Sequence, residues 1–350
     1  MRPLYIHVGL HKTGTSFLQR LLHENRELLA GAGLGLAPLQ DPASGSHHPL
    51  LAAIEAEGPE AVFDRVAGAP GARVLISAEE LSQEMNDRPG YLAALHAAAA
   101  RHFEPRLVIF LRRQDFLKES VYAQVVKDWF EGTIHEDTHY DYDHAARLAR
   151  LEAVFGANRV HVALYRDQGP NDIVGDLLAA TATRIDRARL HPIPPQNVSM
   201  HRRKLLFLAG FPKPASARED QPKAHYPVRF VTRLLSRSTA IADDGGRFLL
   251  SPAERQALVA RHLDGNRRLV ARHGIADAGS FVDLPDPDPS WTPPAPITGR
   301  ELAAVWREAV AAARADRDPL RAAWLAARLS RRFASMAART HATPALRAAR

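Results

Sequence analysis

Over its first half the chain alternates short apolar runs with polar, turn-rich stretches. Leu4-Tyr5-Ile6-His7-Val8 is an apolar run with turn chemistry after it, the pattern of a buried strand. From Thr15 to about Leu29 the positions Phe17, Leu18, Leu21, Leu22, Leu28 and Leu29 recur at helical spacing, so a helix begins near Thr15 or Ser16. Arg73–Ser77 predicts a second strand, Tyr91–Phe103 an Ala-rich helix and Arg106–Leu111 a third strand. Helices are predicted from about Phe116 to Phe130 and from Asp143 to Phe155, where Gly156 stops the second. Alternation over Arg159–Tyr165 predicts a fourth strand, with a further helix near Asp172–Thr181. This is the order of βαβ units, which pack as an α/β, three-layer arrangement of a mostly parallel sheet flanked by helices. In such sheets ligands bind in the loops at the carboxyl ends of the strands.

Beyond residue 190 the pattern changes to helices and loops. Ser251-Pro252-Ala253-Glu254 is a capped helix start, with apolar positions continuing to about Val270. Residues 285–296 hold six prolines in twelve positions, an extended segment that cannot join a sheet interior. Arg300–Arg350 is Ala/Arg-rich helix. The expected organisation is an α/β domain over 1–284, a Pro-rich linker over 285–299 and a basic helical extension over 300–350.

Composition narrows the functional classes. With 350 residues, 46% apolar and 24% charged, the chain reads as a globular protein with ample core. It has no Cys, which excludes a disulfide scaffold, a Cys-ligated zinc site and a thiol nucleophile. No apolar window approaches the roughly 18 residues of a membrane span, and the first run is too short for a secretory signal, so the expected compartment is cytoplasmic. The net charge of +7 hints at nucleic acid until it is located. Residues 301–350 hold ten Arg and four acids, +6 in all, which leaves +1 for the other 300 residues. No basic footprint spreads over a binding face, and no nucleic-acid partner is expected.

The informative stretch is Gly9-Leu10-His11-Lys12-Thr13-Gly14-Thr15-Ser16, where a strand runs through small residues into a helix. Gly14 permits close backbone approach, successive N–H groups can form a nest, and the helix N-terminus adds roughly half a positive charge. Thr13, Thr15 and Ser16 add hydroxyls and Lys12 a mobile cation. The spacing does not fit the ATP-type loop, which needs Ser or Thr directly after a Gly-Lys pair, and no strand ends in an obvious metal-binding Asp. A second element follows the third strand. Arg112 stands at its carboxyl end, where a planar fork suits two phosphate oxygens, and Ser120 follows eight residues later. Taken separately, the first element reads equally as an ordinary capped turn with an exposed Lys, and the second reads first as a solvated Arg112-Arg113 pair facing Asp115 or Glu119. Together they describe one ligand with two anionic ends.

On these residues the chain resembles the PAPS-dependent sulfotransferases, in the bacterial branch that acts on glycans and other small hydroxylated acceptors. Lys12-Thr13-Gly14-Thr15-Ser16 is similar to that family's 5′-phosphosulfate loop, and Phe110-Leu111-Arg112 with Ser120-Val121-Tyr122 is similar to its 3′-phosphate motif. The likeness extends over roughly residues 3–275 and includes Asn158–Tyr165 as the fourth strand and Asn266-Arg267-Arg268-Leu269 on the C-terminal helix. It implies a P-loop-like fold, PAPS as co-substrate, no metal, and Lys12, Thr13, Gly14, Thr15, Ser16, Arg112 and Ser120 as donor-binding residues. It further implies transfer to a hydroxyl acceptor such as a surface glycan, with a base just past the second strand. Aligning strand ends puts Glu79 there, with Glu80 beside it and His11 as a competitor. Lys12 suits the electrostatic role of stabilising the leaving phosphate. Two other readings remain open: a P-loop kinase using ATP, and a non-catalytic nucleotide- or glycan-binding protein.

Three stretches carry weaker signals. His135–His144 is rich in ligand-type residues but lacks a regular metal-binding face, and reads as a loop over the acceptor site. His201-Arg202-Arg203-Lys204 could grip a 3′-phosphate. In the tail, Leu320, Trp324, Ala327 and Phe333 fall near one helical face among arginines. Such a helix either lies on anionic lipid at the inner membrane face, or on an acidic glycan, or packs on the domain with a solvated Arg face.

Overall fold

The computed structural model describes residues 1–10, 12–79, 81, 88, 90–168, 171–194, 200–213, 222–316 and 318–347. Tertiary contacts divide the chain into two units. The first comprises residues 1–117, 142–197 and 256–285, and the second residues 118–141, 198–255 and 286–350. The division follows contacts rather than chain order.

The first unit is built around β1 (Arg2–Gly9). β1 pairs with β3 (Arg73–Ser77) on one side and with β4 (Phe103–Arg112) on the other. β2 (Leu34–Leu36) and β5 (Val160–Tyr165) close the edges, giving the order β2-β3-β1-β4-β5 with every pairing parallel. Side chains alternate across the sheet as strand geometry requires. Leu4, Ile6 and Val8 of β1, with Leu107, Ile109 and Leu111 of β4, enter one core beneath α3 (His48–Glu57), α4 (Pro59–Val66), α5 (Tyr91–Ala100) and α7 (His144–Phe155). Tyr5, Leu75, Val108 and Phe110 enter the opposite core with α1 (Thr15–Glu24), α2 (Arg26–Gly31) and α8 (Ile173–Ala180). The α/β, three-layer, parallel expectation holds. Strands continue on both sides of β1, so the carboxyl ends of β1 and β4 form the crevice where such sheets receive ligands.

Two predicted helices end early for identifiable reasons. The helix expected to reach Leu29 breaks at Asn25, whose side-chain amide donates to the Leu21 carbonyl while its oxygen accepts from the His191 N–H at 2.7 Å. The helix expected through Phe103 stops at Ala100, because Phe103 is fully buried as the first residue of β4, opposite Arg2.

The second unit is helical. It holds α9 (Arg202–Gly210), α10 (Pro222–Arg237), α12 (Gly299–Arg314) and α13 (Pro319–Arg347). α6 (Gln114–Asp128) and α11 (Pro252–His273) each begin in one unit's residues and end in the other's. Phe207, Phe211 and Phe333 meet in its core. On α13 the buried positions are Ala322, Leu325, Leu329, Phe333 and Met336, a three-four spacing. The face expected from the sequence is therefore rotated: Leu320 is 83% exposed, Trp324 only half-buried. Residues 284–298 carry no helix or strand, as their prolines dictate. Among the described residues no helix is long and apolar enough to cross a membrane.

Candidate functional site

The loop leaving β1 turns on two left-handed residues, Lys12 (φ 69°) and Gly14 (φ 79°). Gly14 is the N-cap of α1 and no side chain caps that helix. The first intrahelical bond is Leu18 N–H to the Gly14 carbonyl, so the N–H groups of Thr15, Ser16 and Phe17 have no acceptor within the helix. Helices α7 and α8 are capped by Asp143 and Asp172, which makes the bare start of α1 a local choice. Gly9 is small because a Cβ there would stand 2.4 Å from the Thr15 hydroxyl. Thr13 is buried and its hydroxyl donates to the Leu10 carbonyl at 2.7 Å, so its proton is committed to holding the loop. Ser16 is exposed, and Lys12 and Gly14 are half-buried.

Arg112, two residues beyond the Phe110 that pairs with Gly9, meets this loop directly. Its Nη1 donates to the Lys12 carbonyl at 2.8 Å. Its Nε donates to Asp167 at 2.8 Å and its Nη2 to the other carboxylate oxygen of the same residue, while the guanidinium lies over Tyr165. The pair is nearly dry, with side chains 13% and 7% exposed. Three of the five guanidinium N–H groups are thus engaged and two remain. The Arg112 carbonyl accepts from Nε2 of buried His144, which assigns the proton of that ring to Nε2. The neighbouring Arg113 is no solvated partner. It is buried, paired with Asp115 through Nε at 2.8 Å and Nη2 at 3.1 Å, and donates to the Ser280 carbonyl.

Glu79 stands two residues past the end of β3, half-buried. β3 borders β1, so Glu79, the 10–16 loop and Arg112 leave the carboxyl ends of three adjacent strands spaced about 5 Å apart. The segment carrying Glu79 is held by Ser77. The Ser77 carbonyl accepts from the His47 N–H at 2.9 Å and from Gln19 Nε2 at 3.3 Å, and its N–H donates to His47 Nδ1 at 3.0 Å. His47 in turn donates from Nε2 to the Ala37 carbonyl. The Ser77 hydroxyl bonds His7 Nδ1 at 2.8 Å, and Nε2 of His7 has no partner among the described residues. Burial pushes His7 down to about 4, against the pull of Glu79, and burial likewise brings His47 to about 4. Both rings are neutral at neutral pH. Neither histidine was singled out from sequence, nor were Gln19 and Asp167: each acts through a partner set by strand register or by a distant segment.

Ser120 lies half-buried on α6, in residues of the second unit. His11 and Glu80, the competing bases, lie outside the described residues. In the second unit His139 packs against Trp129 and bonds Asp137, and among the described residues no group of three or more His, Cys, Asp or Glu could hold a metal ion. Arg202 and Arg203 are structural clamps. Arg202 binds Asp244 and the Phe248 and Thr292 carbonyls, and Arg203 binds Glu301 and the Ala242, Ala295 and Pro296 carbonyls. The proline-rich segment is thereby fastened at Thr292 and at Ala295-Pro296; Arg203 has all five N–H groups engaged, and Arg202, with three engaged, is buried.

No family model matches the chain, and no curated protein does. Among solved structures it is similar to a sulfotransferase from Alicyclobacillus acidocaldarius, aligned over 78% of this chain and 96% of that one at 16% identity and a TM-score of 0.39.

Proposed function

We propose that the chain is a sulfotransferase, moving the sulfuryl group of PAPS to a hydroxyl on a glycan or other small acceptor. The observation that carries this reading is the uncapped, doubly left-handed turn at Lys12 and Gly14, with the Arg112 guanidinium seated on the Lys12 carbonyl. A nest of N–H groups at a helix start, beside a Lys and an Arg, suits a phosphate without a metal. The Lys-before-Gly spacing disfavours ATP chemistry.

In this mechanism the backbone N–H groups of residues 13–16 and the Ser16 hydroxyl bind the 5′-phosphosulfate. The two remaining N–H groups of Arg112 take the 3′-phosphate. Glu79 accepts the acceptor's hydroxyl proton as the acceptor oxygen bonds sulfur. The bond from sulfur to the bridging oxygen breaks in line, and Lys12 neutralises the charge that collects on that oxygen. The products are the sulfated acceptor and 3′,5′-ADP. The Ser77 hub steadies the segment that carries Glu79, beside a neutral His7.

Calorimetry on the full chain tests the reading: 3′,5′-ADP binds without added metal, and ATP with Mg²⁺ does not. Lys12→Ala lowers turnover by about 10²–10³, the usual cost of a transition-state donor. Glu79→Gln abolishes turnover while leaving 3′,5′-ADP affinity within about twofold, since a general base contributes to the chemical step rather than to donor binding. Tight ATP binding with none for 3′,5′-ADP would reject the assignment.

A further inference from the structure

The second unit carries a feature the proposed reaction does not use. Between α12 and α13 lies an open groove of about 390 Å³ lined by Trp306, Arg307, Ala311, Arg314, Ala327 and Ser330. Alanines at the facing positions keep the two helices' side chains from filling it. Trp306 is 40% exposed at the rim, and Arg307 and Arg314 are exposed on the same helix. Seven residues, two helical turns, separate these arginines, which places them about 10 Å apart along one face.

The charge around the groove is not uniform in what it can offer. Arg321 is tied to Asp316 through two hydrogen bonds, and the Arg328 guanidinium lies over the Trp324 ring. Arg307 and Arg314 make no ion pair among the described residues. The stretch 301–350 holds +6 of the chain's +7. A concave trough with an aromatic rim and two available planar forks recognises a ligand with flat apolar faces and two anionic groups spaced along it. An extended sulfated saccharide has that form: sugar C–H faces for the indole, sulfates on alternate units for the arginines. A lipid surface fits less well. The groove is concave, and among the described residues of 300–338 only Trp306 and Leu320 are large apolar side chains with substantial exposure.

We propose that the α12–α13 groove is a binding site for a sulfated oligosaccharide. The choice of sulfate as the anion rests on the proposed reaction, whose product would be of that class; the groove, its arginines and its indole do not. Calorimetry of the full chain with a heparin-derived hexasaccharide tests it, with no donor and no turnover required. Arg307→Ala/Arg314→Ala weakens binding at least about tenfold, and Ala327→Phe, which fills the trough and keeps every charge, does the same. Arg328→Ala/Arg331→Ala removes the same charge outside the groove and weakens binding less than about threefold. All three variants keep the 3′,5′-ADP affinity of the parent. The site is overturned if the outer pair costs as much as the groove pair, if Ala327→Phe binds normally, or if chemically desulfated hexasaccharide binds equally well. Sedimentation with phosphatidylglycerol vesicles alongside indifference to the hexasaccharide would also overturn it. Saccharide binding without sulfuryl transfer would leave the groove standing and remove the enzyme reading; transfer with no groove effect would do the reverse.

Discussion

Arg112 has two duties that separate experimentally. Its bonds to Asp167 and to the Lys12 carbonyl brace the loop after β1, and its two remaining N–H groups are what an anion could use. Removing one member of a nearly dry ion pair strands the other, at a cost of about 3–5 kcal/mol, whereas replacing both by apolar groups is often close to neutral. Asp167→Ala is therefore expected to lower the urea unfolding free energy by about 3 kcal/mol or more. The double variant Arg112→Met/Asp167→Leu should recover most of that loss and still fail to bind 3′,5′-ADP. If the double variant bound the nucleotide as tightly as the parent, Arg112 would be a brace and nothing else. His7 shows the same entanglement of packing and site. It is fully buried against the edge of Phe110 with centroids 5.4 Å apart, yet its Nδ1 steadies the Ser77 hydroxyl two residues before Glu79.

The strand-to-helix turn is where an element's geometry becomes chemistry. Gly14 at φ 79° holds a conformation that costs an L-residue about 1–2 kcal/mol, and a Cβ there would come within 2.7 Å of Ile173 Cδ1. Gly14→Ala should thus destabilise the first unit by about 1–3 kcal/mol and weaken 3′,5′-ADP binding by more than its stability loss explains, because the helix start would shift. Thermal melts with and without 3′,5′-ADP would separate the two effects; an unchanged ligand-induced rise in Tm would clear the turn of any role in binding. This element was legible in the sequence, as were β1, β3, β4 and β5, because buried strands in a parallel sheet are near-continuous apolar runs. β2 was not. It is three residues long, and its Gly35 carries no side-chain signal; a Cβ there would lie 1.8 Å from the Pro70 carbonyl oxygen. Helices α3 and α4 also went unread, and so did the supports of Glu79. Gln19 and His47 reach Ser77 from 58 and 30 residues away, contacts that only strand order and helix packing create.

At the scale of the whole molecule the two units differ in what acid does to them. In the first, His7 and His47 are buried neutral at about 4, and burial also lowers His96, His161 and His273. In the unfolded chain each titrates near 6.5, so between 6.5 and about 4 the unfolded state binds more protons. Their contribution is complete above pH 6.5 and declines as pH falls through that window. In the second unit burial lowers His201 in the same direction. An acid-sensitive contact of the second unit is Arg203–Glu301. Burial alone would raise Glu301, but hydrogen bonds from Arg203 and from Thr298 outweigh it and bring the carboxyl to about 2. That contribution is complete above about 4.5 and declines from there towards 2. Hydrogen exchange corrected for intrinsic rates should therefore show protection over Arg2–Gly9 and Arg73–Ser77 falling between pH 7 and 5, while Gly299–Arg314 keeps most of its protection until below 4.5. His7→Gln should shrink the first loss, and Arg203→Ala should remove the second while lowering protection of Gly299–Arg314 at every pH. Equal loss in both units from pH 6.5 downward would mean that the buried imidazoles do not set the acid limit of the sheet.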